Sequence, residues 1–382
     1  MAGFDAMDDF LGAALRDEGA AWPDAWREPH ILPEIAARIR FHGIAPLLAE
    51  RIADGRDWPP AIASGIREEA RLQAFWEDSH AGAVRALLKR LSASGVEALA
   101  MKGTALAYSV YTEPGERRRG DTDLLVRERD LALARSALRA AGFAASDPVI
   151  GLLFQESWRL DTGMGFVHTI DLHWRVVDAP ALHAAVDTEE CFARAVSLPR
   201  LCAEARAVDP VLTFVQCCIN QSLHTAQGFG VGEDRVFGGN RLGWARDNDL
   251  LLRTFSDGEW RDLLRICGAR GLGPACLSGI RLARRHFATP LPASPIETLA
   301  AMPADGAAAR YLRQTGKAGR FLCNLGQCVG LRRKAGFAAS YLFPDRPRLR
   351  PLFPQSENVP LFVLQARRLA NIAARRARRL FA

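Results

Sequence analysis

Two aspartates one residue apart, Asp121 and Asp123, open the short apolar run Asp121-Thr122-Asp123-Leu124-Leu125-Val126. On a β-strand, period two puts both carboxylates on one face and Leu124 and Val126 on the other. Like charges side by side repel, and burying them costs stability unless a cation lies between them. Hard oxygen ligands at this spacing suit Mg²⁺ or Mn²⁺ held together with phosphate oxygens. A third carboxylate, Asp171, stands in the run 166–175. Its face carries Val167, Thr169, His173 and Arg175, and the opposite face carries Phe166, His168, Ile170, Leu172 and Trp174. The large apolar side chains mark that second face as buried, so Asp171 and His173 turn toward a cleft. A solvated edge face on each strand is the competing reading.

Lys102-Gly103-Thr104 precedes this acidic pair, at an expected passage from strand to helix. Gly103 lets phosphate approach the backbone there, and the helix N-terminus offers free N–H groups. Thr104 can cap that helix or bond a phosphate oxygen, and Lys102 adds a point charge. Alone, the triplet reads as a cap. Arg117, Arg118 and Arg119 stand just before Gly120 and Asp121, where they can balance the acidic cluster or clamp a triphosphate. His173 can donate to a phosphate or an acceptor, or be a surface histidine. His224 stands near a helix-loop boundary, where a functional role is the minority reading, and for Trp244 and Asp247 packing and capping are sufficient accounts.

The elements that must position these groups follow from periodicity. Residues 5–55 show helical spacing, and Pro59-Pro60 precedes a long helical run over 61–93 that Ser94-Gly95 stops. The rhythm then shortens. Strands are expected at 96–101, 121–126, 156–160 and 166–175, and helices at 104–111 and 130–141. The last two strands form a hairpin through Asp161–Gly165. Helical patterns return from 182, interrupted by a glycine-rich loop at 228–240 and a proline-rich connection at 290–301. Residues 307–333 are helical, 343–354 form a proline-rich turn region, and 357–380 form an amphipathic helix. The expected division is a helical N-terminal lobe at 1–93, a small α/β core at 94–178, a helical lobe at 179–300 and a mostly helical basic segment at 301–382. The fold class is α+β, a small mixed sheet between helical lobes.

Hydrophobic residues make up 49% of the 382 and charged residues 24%, which suits a globular core and excludes wholesale disorder. No apolar run is long enough for a membrane span, and the acidic N-terminus does not read as a secretory signal. Eight cysteines without a Cys-x-x-Cys pair fit thiols in a reducing cytoplasm. The net charge of +7 draws anions without naming one, and six arginines with no acidic residue stand between Gln365 and Ala382. They read as a packed amphipathic helix or as phosphate contacts. No base-reading motif is present, so sequence-specific nucleic-acid binding is not expected.

Gly95 to Leu106, Arg117 to Val126, Gly142-Phe143 and Ile170 to Arg175 together resemble the polymerase-beta-like nucleotidyltransferase superfamily. More narrowly they resemble a bacterial group of uncharacterised nucleotidyltransferases. Gly103-Thr104, Asp121-x-Asp123 and Asp171 match that signature in order. Arg40 to Leu48, Arg241 to Asp247 and Tyr341 to Pro344 extend the likeness, over about 40–350. Thr104 departs from the usual Ser or Gly, and the spacing from Gly103 to Asp121 is longer than in compact members. The resemblance implies metal-dependent transfer of a nucleotidyl group from a nucleoside triphosphate to a hydroxyl on a small-molecule, saccharide or peptide acceptor. In such enzymes the first two carboxylates bind the metals, and the third helps bind the catalytic one and activates the attacking hydroxyl. A non-catalytic nucleotide-binding or partner-binding relative is the alternative.

Overall fold

The computed structural model describes residues 4–380 apart from 17, 19–20, 54–56, 150–152, 164, 228, 232–233, 237–239 and 355–357. Four helices come first: α1 (Phe4–Leu15), α2 (Leu32–His42), α3 (Ala45–Ala53) and the long α4 (Pro60–Ala93). Pro60 occupies the first turn of α4, where no backbone N–H is needed. Ile62, Ile66, Trp76, His80, Val84, Leu87 and Leu91 then recur at helical spacing and are buried.

The sheet follows as β1 (Ala98–Met101), α5 (Lys102–Ser109), β2 (Thr122–Val126), α6 (Leu131–Ala140), β3 (Ala144–Ala145), β4 (Gln155–Asp161) and β5 (Val167–His173). After α7 (Thr188–Ala193), the two-residue strands β6 (Val196–Ser197) and β7 (Arg206–Ala207) join its far edge. The order across the sheet is β3-β4-β5-β2-β1-β7-β6. β2 runs antiparallel to β1 and parallel to β5, in the register Asp123↔Asp171. β4 and β5 form the expected antiparallel hairpin, with Ser157 opposite Asp171 and Gln155 opposite His173. Gly142, at φ +88°, ends α6 in the left-handed region, while Asp130 makes no side-chain cap bond.

The remaining helices are α8 (Pro210–Gln227), α9 (Leu242–Thr254), α10 (Asp257–Arg270), α11 (Gly273–Phe287), α12 (Ala293–Ala301), α13 (Gly306–Leu312), α14 (Lys317–Gln327), α15 (Leu331–Leu342), α16 (Arg346–Leu349) and α17 (Leu361–Leu380). A short hairpin, β8 (Phe229–Val231) and β9 (Asp234–Val236), separates α8 from α9. The expected loop at 228–240 is therefore a hairpin where it is described; residues 228, 232–233 and 237–239 lie outside the described residues. The expected connection at 290–301 contains α12. Pro295 falls in its first turn, which tolerates proline.

The sheet lies between two apolar cores. Ala98, Ala100, Leu124, Val126, Ile170 and Leu172 pack toward α4 and α6. Leu99, Met101 and Leu125 join the larger core built on α8, α10 and α11. A third core binds α1–α4 to α9 and α11 through Ile39, Leu48, Leu242, Ala245 and Phe287. Asp123 and Asp171 alternate with Leu124, Leu172 and Ile170, so they face the α8 side.

Candidate functional site

The carboxylates stand on the sheet face turned toward α8, at a cavity that α8 helps to wall. A cavity of about 750 Å³ opens there, lined by Lys102, Gly103, Arg117–Arg119, Asp121, Asp123, Asp171 and His173 from the sheet side. Asn220 and His224 of α8, Arg241 and Trp244 at the start of α9, and Tyr311, Asn324 and Tyr341 from α13, α14 and α15 close it. The parity argument thus holds: all three aspartates face one cleft.

Side-chain ligand atoms of Asp123, Asp171 and His173 lie within 4.8 Å of one another. One oxygen of Asp123 accepts from Lys102 Nζ at 2.5 Å and from His173 Nε2 at 2.8 Å. The carboxylate cannot donate, so Nε2 carries the proton; the other ring nitrogen, Nδ1, is buried without a partner. One oxygen of Asp171 accepts from Ser157 Oγ at 2.5 Å. The second oxygen of each of these two aspartates has no hydrogen-bond donor among the described residues. Asp121 lies outside the tight cluster but lines the same cavity. Burial, then the charges of Asp123 and Asp171, lift its carboxyl to about 7 against the pull of Lys102 and Arg117. Burial also pushes Asp123 up, but Lys102 and His173 outweigh it and hold that carboxyl well below its usual range. Three carboxylates against one ammonium leave negative charge and unused oxygens in one place. That donor set fits a divalent cation.

Lys102 holds its backbone at φ +49°, a left-handed conformation rare for a side-chain-bearing residue. This kink turns β1 directly into α5 and aims the ammonium across β2 at Asp123. Strain of this kind costs about 1–3 kcal/mol and persists where surrounding structure fixes it. Burial opposes the Lys102 charge, yet Asp123, Asp121 and Asp171 raise its pKa overall. Gly103 lies under the arginines: a Cβ there would meet Arg119 Cδ at 3.5 Å and Arg117 Cζ at 4.0 Å.

The sequence expectations for Thr104 and the arginines are corrected in part. Thr104 Oγ1 bonds Thr122 Oγ1 at 2.8 Å, and the side chain is buried away from the cavity. It neither caps α5 nor faces a phosphate. The arginines do line the cleft, but their ion pairs run outward to other helices. Arg117 pairs with Asp247 at 2.6 Å, Arg118 with Glu69 at 2.8 Å and Arg119 with Glu77 at 2.6 Å. They are braced by acids of α4 and α9, not by the aspartate cluster. Asp247, for which packing and capping are the sequence expectation, also accepts from Tyr111 Oη at 2.7 Å and so fixes Arg117 from behind.

Sequence reasoning missed Arg241. Its Nε donates to the Phe41 carbonyl at 2.5 Å, 200 residues away. A Cβ on Gly43, whose φ is +65°, would come within 2.7 Å of Arg241 Nη2. Leu242 N–H donates to His42 Nδ1 at 3.0 Å. The segments Arg40 to Leu48 and Arg241 to Asp247 therefore meet and carry Arg241 to the cavity wall. Burial, then Arg117 and Arg118, pull the Arg241 guanidinium down to about 9, so an anion beside it would be welcome. Ser157 was also missed, because only the β4–β5 register places it against Asp171. On the far side Asp178 lines the cavity, one oxygen accepting from the backbone of Leu153 and Phe154 at 2.7 Å each. Burial raises its pKa despite those bonds.

A family model described as an uncharacterised nucleotidyltransferase matches residues 32–288. The chain belongs to this family. The matched part runs from α2 through α11 and holds Asp121, Asp123, Asp171, the arginine loop and Arg241. It leaves out Tyr311, Asn324 and Tyr341, so part of the cavity wall comes from outside the family region. No curated protein matches the chain. Among the described residues no helix is long and apolar enough to cross a membrane.

Proposed function

We propose that this cleft moves a nucleotidyl group from a nucleoside triphosphate to a hydroxyl-bearing acceptor and releases pyrophosphate, with Mg²⁺ or Mn²⁺ bound by Asp121, Asp123 and Asp171. The observation that carries this reading is the parallel pairing that sets Asp123 directly beside Asp171, next to the β1–α5 turn. A divalent ion in that position would polarise the α-phosphate and offset charge on the leaving group.

Sheet order supports an arrangement of the substrates. Gly103, Lys102, Arg117, Arg119 and Arg241 gather on the β1 side, where cations and the start of a helix suit the triphosphate. The acceptor then enters from the β4 side, past Gln155, Asp178, Tyr311 and Asn324. Asp171 stands between the two, and its free oxygen takes the proton of the attacking hydroxyl. The acceptor oxygen bonds the α-phosphorus as the bond to pyrophosphate breaks. His173 and Lys102 orient Asp123, and Ser157 orients Asp171. In this reading residues 94–178 are the catalytic unit, 1–93 and 179–300 brace its arginines, and 301–382 close the acceptor end. A small molecule, saccharide or peptide fits that end.

One observation favours a second reading, a nucleotide-binding accessory protein without catalysis: the Lys102 ammonium already neutralises Asp123. Labelled nucleoside triphosphates incubated with cell extract, Mn²⁺ and the protein separate the two. Label transferred to an acceptor by wild type and lost in Asp171→Asn supports catalysis. Metal-dependent nucleotide binding with no transferred label from any of the four nucleotides sinks it.

A further inference from the structure

Residues 306–382 hold sixteen lysines and arginines against two acidic residues, Asp345 and Glu357, in a chain whose formal net charge is only +7. The first 305 residues are therefore net acidic, and the positive charge is gathered at one end of the sequence. Within that end, α14 and α15 meet in the tight turn Cys328-Val329-Gly330, with Gly330 at φ +84°. Val329 is 78% exposed and Leu331 86%, the two most exposed large apolar side chains among the described residues. Leu322, two helical turns before Val329, is 64% exposed. Arg332 and Arg333 follow, both exposed, then Lys334. No ion pair or hydrogen bond from these three side chains occurs among the described residues, whereas Arg117, Arg118 and Arg119 are all paired.

Bare aliphatic side chains at a helix-hairpin tip, with unpaired cations next to them, match a surface that offers anions and an apolar phase together. An anionic lipid bilayer does so: its phosphates take guanidinium groups and its acyl boundary takes aliphatic carbon. Nucleic acid supplies phosphates, but recognises exposed apolar groups chiefly by stacking on aromatic rings, which this tip lacks. We propose that the α14–α15 tip docks the protein peripherally on an anionic membrane surface, Val329 and Leu331 entering the headgroup layer and Arg332 and Arg333 pairing with lipid phosphates. The inner sides of the same helices carry Asn324 and Tyr341 to the cavity, so docking would bring the acceptor end of the cleft near the bilayer. The docking does not depend on the transfer chemistry.

The test is flotation of the full-length protein with vesicles of phosphatidylcholine alone and of phosphatidylcholine mixed with phosphatidylglycerol. Wild type should float only with the anionic vesicles and be released by high salt. The double substitution Arg332→Gln/Arg333→Gln should lower the partition coefficient by about thirtyfold, at roughly fivefold for each lost surface cation. Val329→Ser/Leu331→Ser should lower it by a similar factor of about ten. Both variants should keep the wild-type melting temperature and Mn²⁺-dependent nucleotide binding, which places the loss at the tip. The proposal is overturned if wild type ignores anionic vesicles, or if both variants float as well as wild type. Tighter binding to a random DNA duplex that survives Val329→Ser/Leu331→Ser would also overturn it, in favour of a nucleic-acid surface. Self-association abolished by the same substitutions, with no lipid binding, would reject it in favour of a contact between copies.

Discussion

On the face of the β2–β5 pair turned toward α4, the polar side chains of the strands, Thr122 and His168, meet neutral partners. His80 Nε2 bonds Thr122 Oγ1 at 2.8 Å, Thr122 bonds Thr104 at 2.8 Å, and Ser79 bonds His168 Nε2 at 2.9 Å. Trp76 stacks on His80 at 4.2 Å. What remains unmatched is one ring nitrogen on each histidine, Nδ1. On the opposite face of the same strands Asp121, Asp123 and Asp171 present more negative charge than Lys102 cancels, with oxygens left over. His80, Thr122, His168 and Thr104 are fully buried, and on the other face Asp123 is buried while Asp121 and Asp171 are half-buried at the cavity. The difference is that the first face pairs its hydroxyls and one nitrogen of each histidine internally, while the second gathers more carboxylate charge than Lys102 cancels at an open cavity, where a cation from outside would balance it. Burial of polar groups is thus a poor guide to a site, and uncompensated charge at a cavity is a better one.

The largest effect should come from removing that surplus. Asp123→Asn should cut nucleotidyl transfer on the order of a thousandfold, since it deletes charge stabilisation where the reaction needs it. Asp121→Asn and Asp123→Asn should weaken Mn²⁺ binding in the presence of a non-hydrolysable triphosphate, and Asp171→Asn should weaken it less. Calorimetry on the four proteins decides. Equal Mn²⁺ binding by all of them would mean that the surplus holds no ion and that the contrast between the faces is structural only.

The other face should respond in stability and not in chemistry. Thr122→Val keeps the shape but removes the hydroxyl that bonds both His80 and Thr104. Leaving buried groups unpaired costs about 1–3 kcal/mol. Urea unfolding should register that loss, with Mn²⁺ and nucleotide affinity unchanged. A matching loss of nucleotide affinity would show that the two faces are coupled through β2.

Acid should act on the buried neutral histidines before it reaches most carboxylates. Burial, then Arg119 and His168, pull His80 down to about 2. Burial, against the raising influence of Asp8, pulls His42 down to about 4. In each case the unfolded chain takes up the proton first, near pH 6.5. The histidine contribution is therefore fully present above pH 6.5 and falls as the pH drops toward 4, by at most about 1.4 kcal/mol per pH unit for each histidine. Asp121, whose carboxyl is raised to about 7, offsets part of the loss because the folded chain takes up that proton first. Asp8, held at about 2 by Arg38 and His42 against its burial, adds a further loss only below its unfolded value of about 3.8. Melting temperature followed from pH 8 to 4.5 should decline below 6.5, and His80→Gln should flatten the curve. A flat wild-type profile would contradict the neutral-histidine account of this face.

Much of this geometry is legible in the sequence, because period two is local. Asp121-x-Asp123 and the run around Asp171 each declare their faces within a few residues, and parity alone sends all three carboxylates to one side. The change from helical to alternating rhythm near Gly95 likewise placed the start of the sheet. What the sequence hid was contact between distant segments. Arg241 reaches the cavity through the carbonyl of Phe41, and no local pattern reveals a pairing across 200 residues. The partners of Arg117 to Arg119 come from α4 and α9 for the same reason. β6 and β7, two residues each, are too short to show a period, and Pro295 disguised α12 by standing in a first turn.

The smallest effect, and the finest discrimination between the faces, belongs to Ser157. It lies on β4 directly opposite Asp171 and donates to it at 2.5 Å. This is a single hydroxyl on the charged face, comparable in kind to Thr122 on the neutral one. If the charged face is organised for chemistry, Ser157 fixes which oxygen of Asp171 is free for the attacking hydroxyl. Ser157→Ala removes that constraint without removing the carboxylate or its charge. A hydrogen bond to a charged group contributes about 1.5–3 kcal/mol, and part of that should appear in the barrier. We expect the kcat for transfer to fall about tenfold, with the KM for nucleotide nearly unchanged, because an interaction that matters only as the hydroxyl attacks affects turnover and not binding. Ser157→Thr, which restores a hydroxyl on a β-compatible residue, should recover most of the rate. A loss of stability in Ser157→Ala with kcat untouched would place Ser157 with Thr122 as a folding hydrogen bond, and Asp171 would then lose its assigned partner in the reaction.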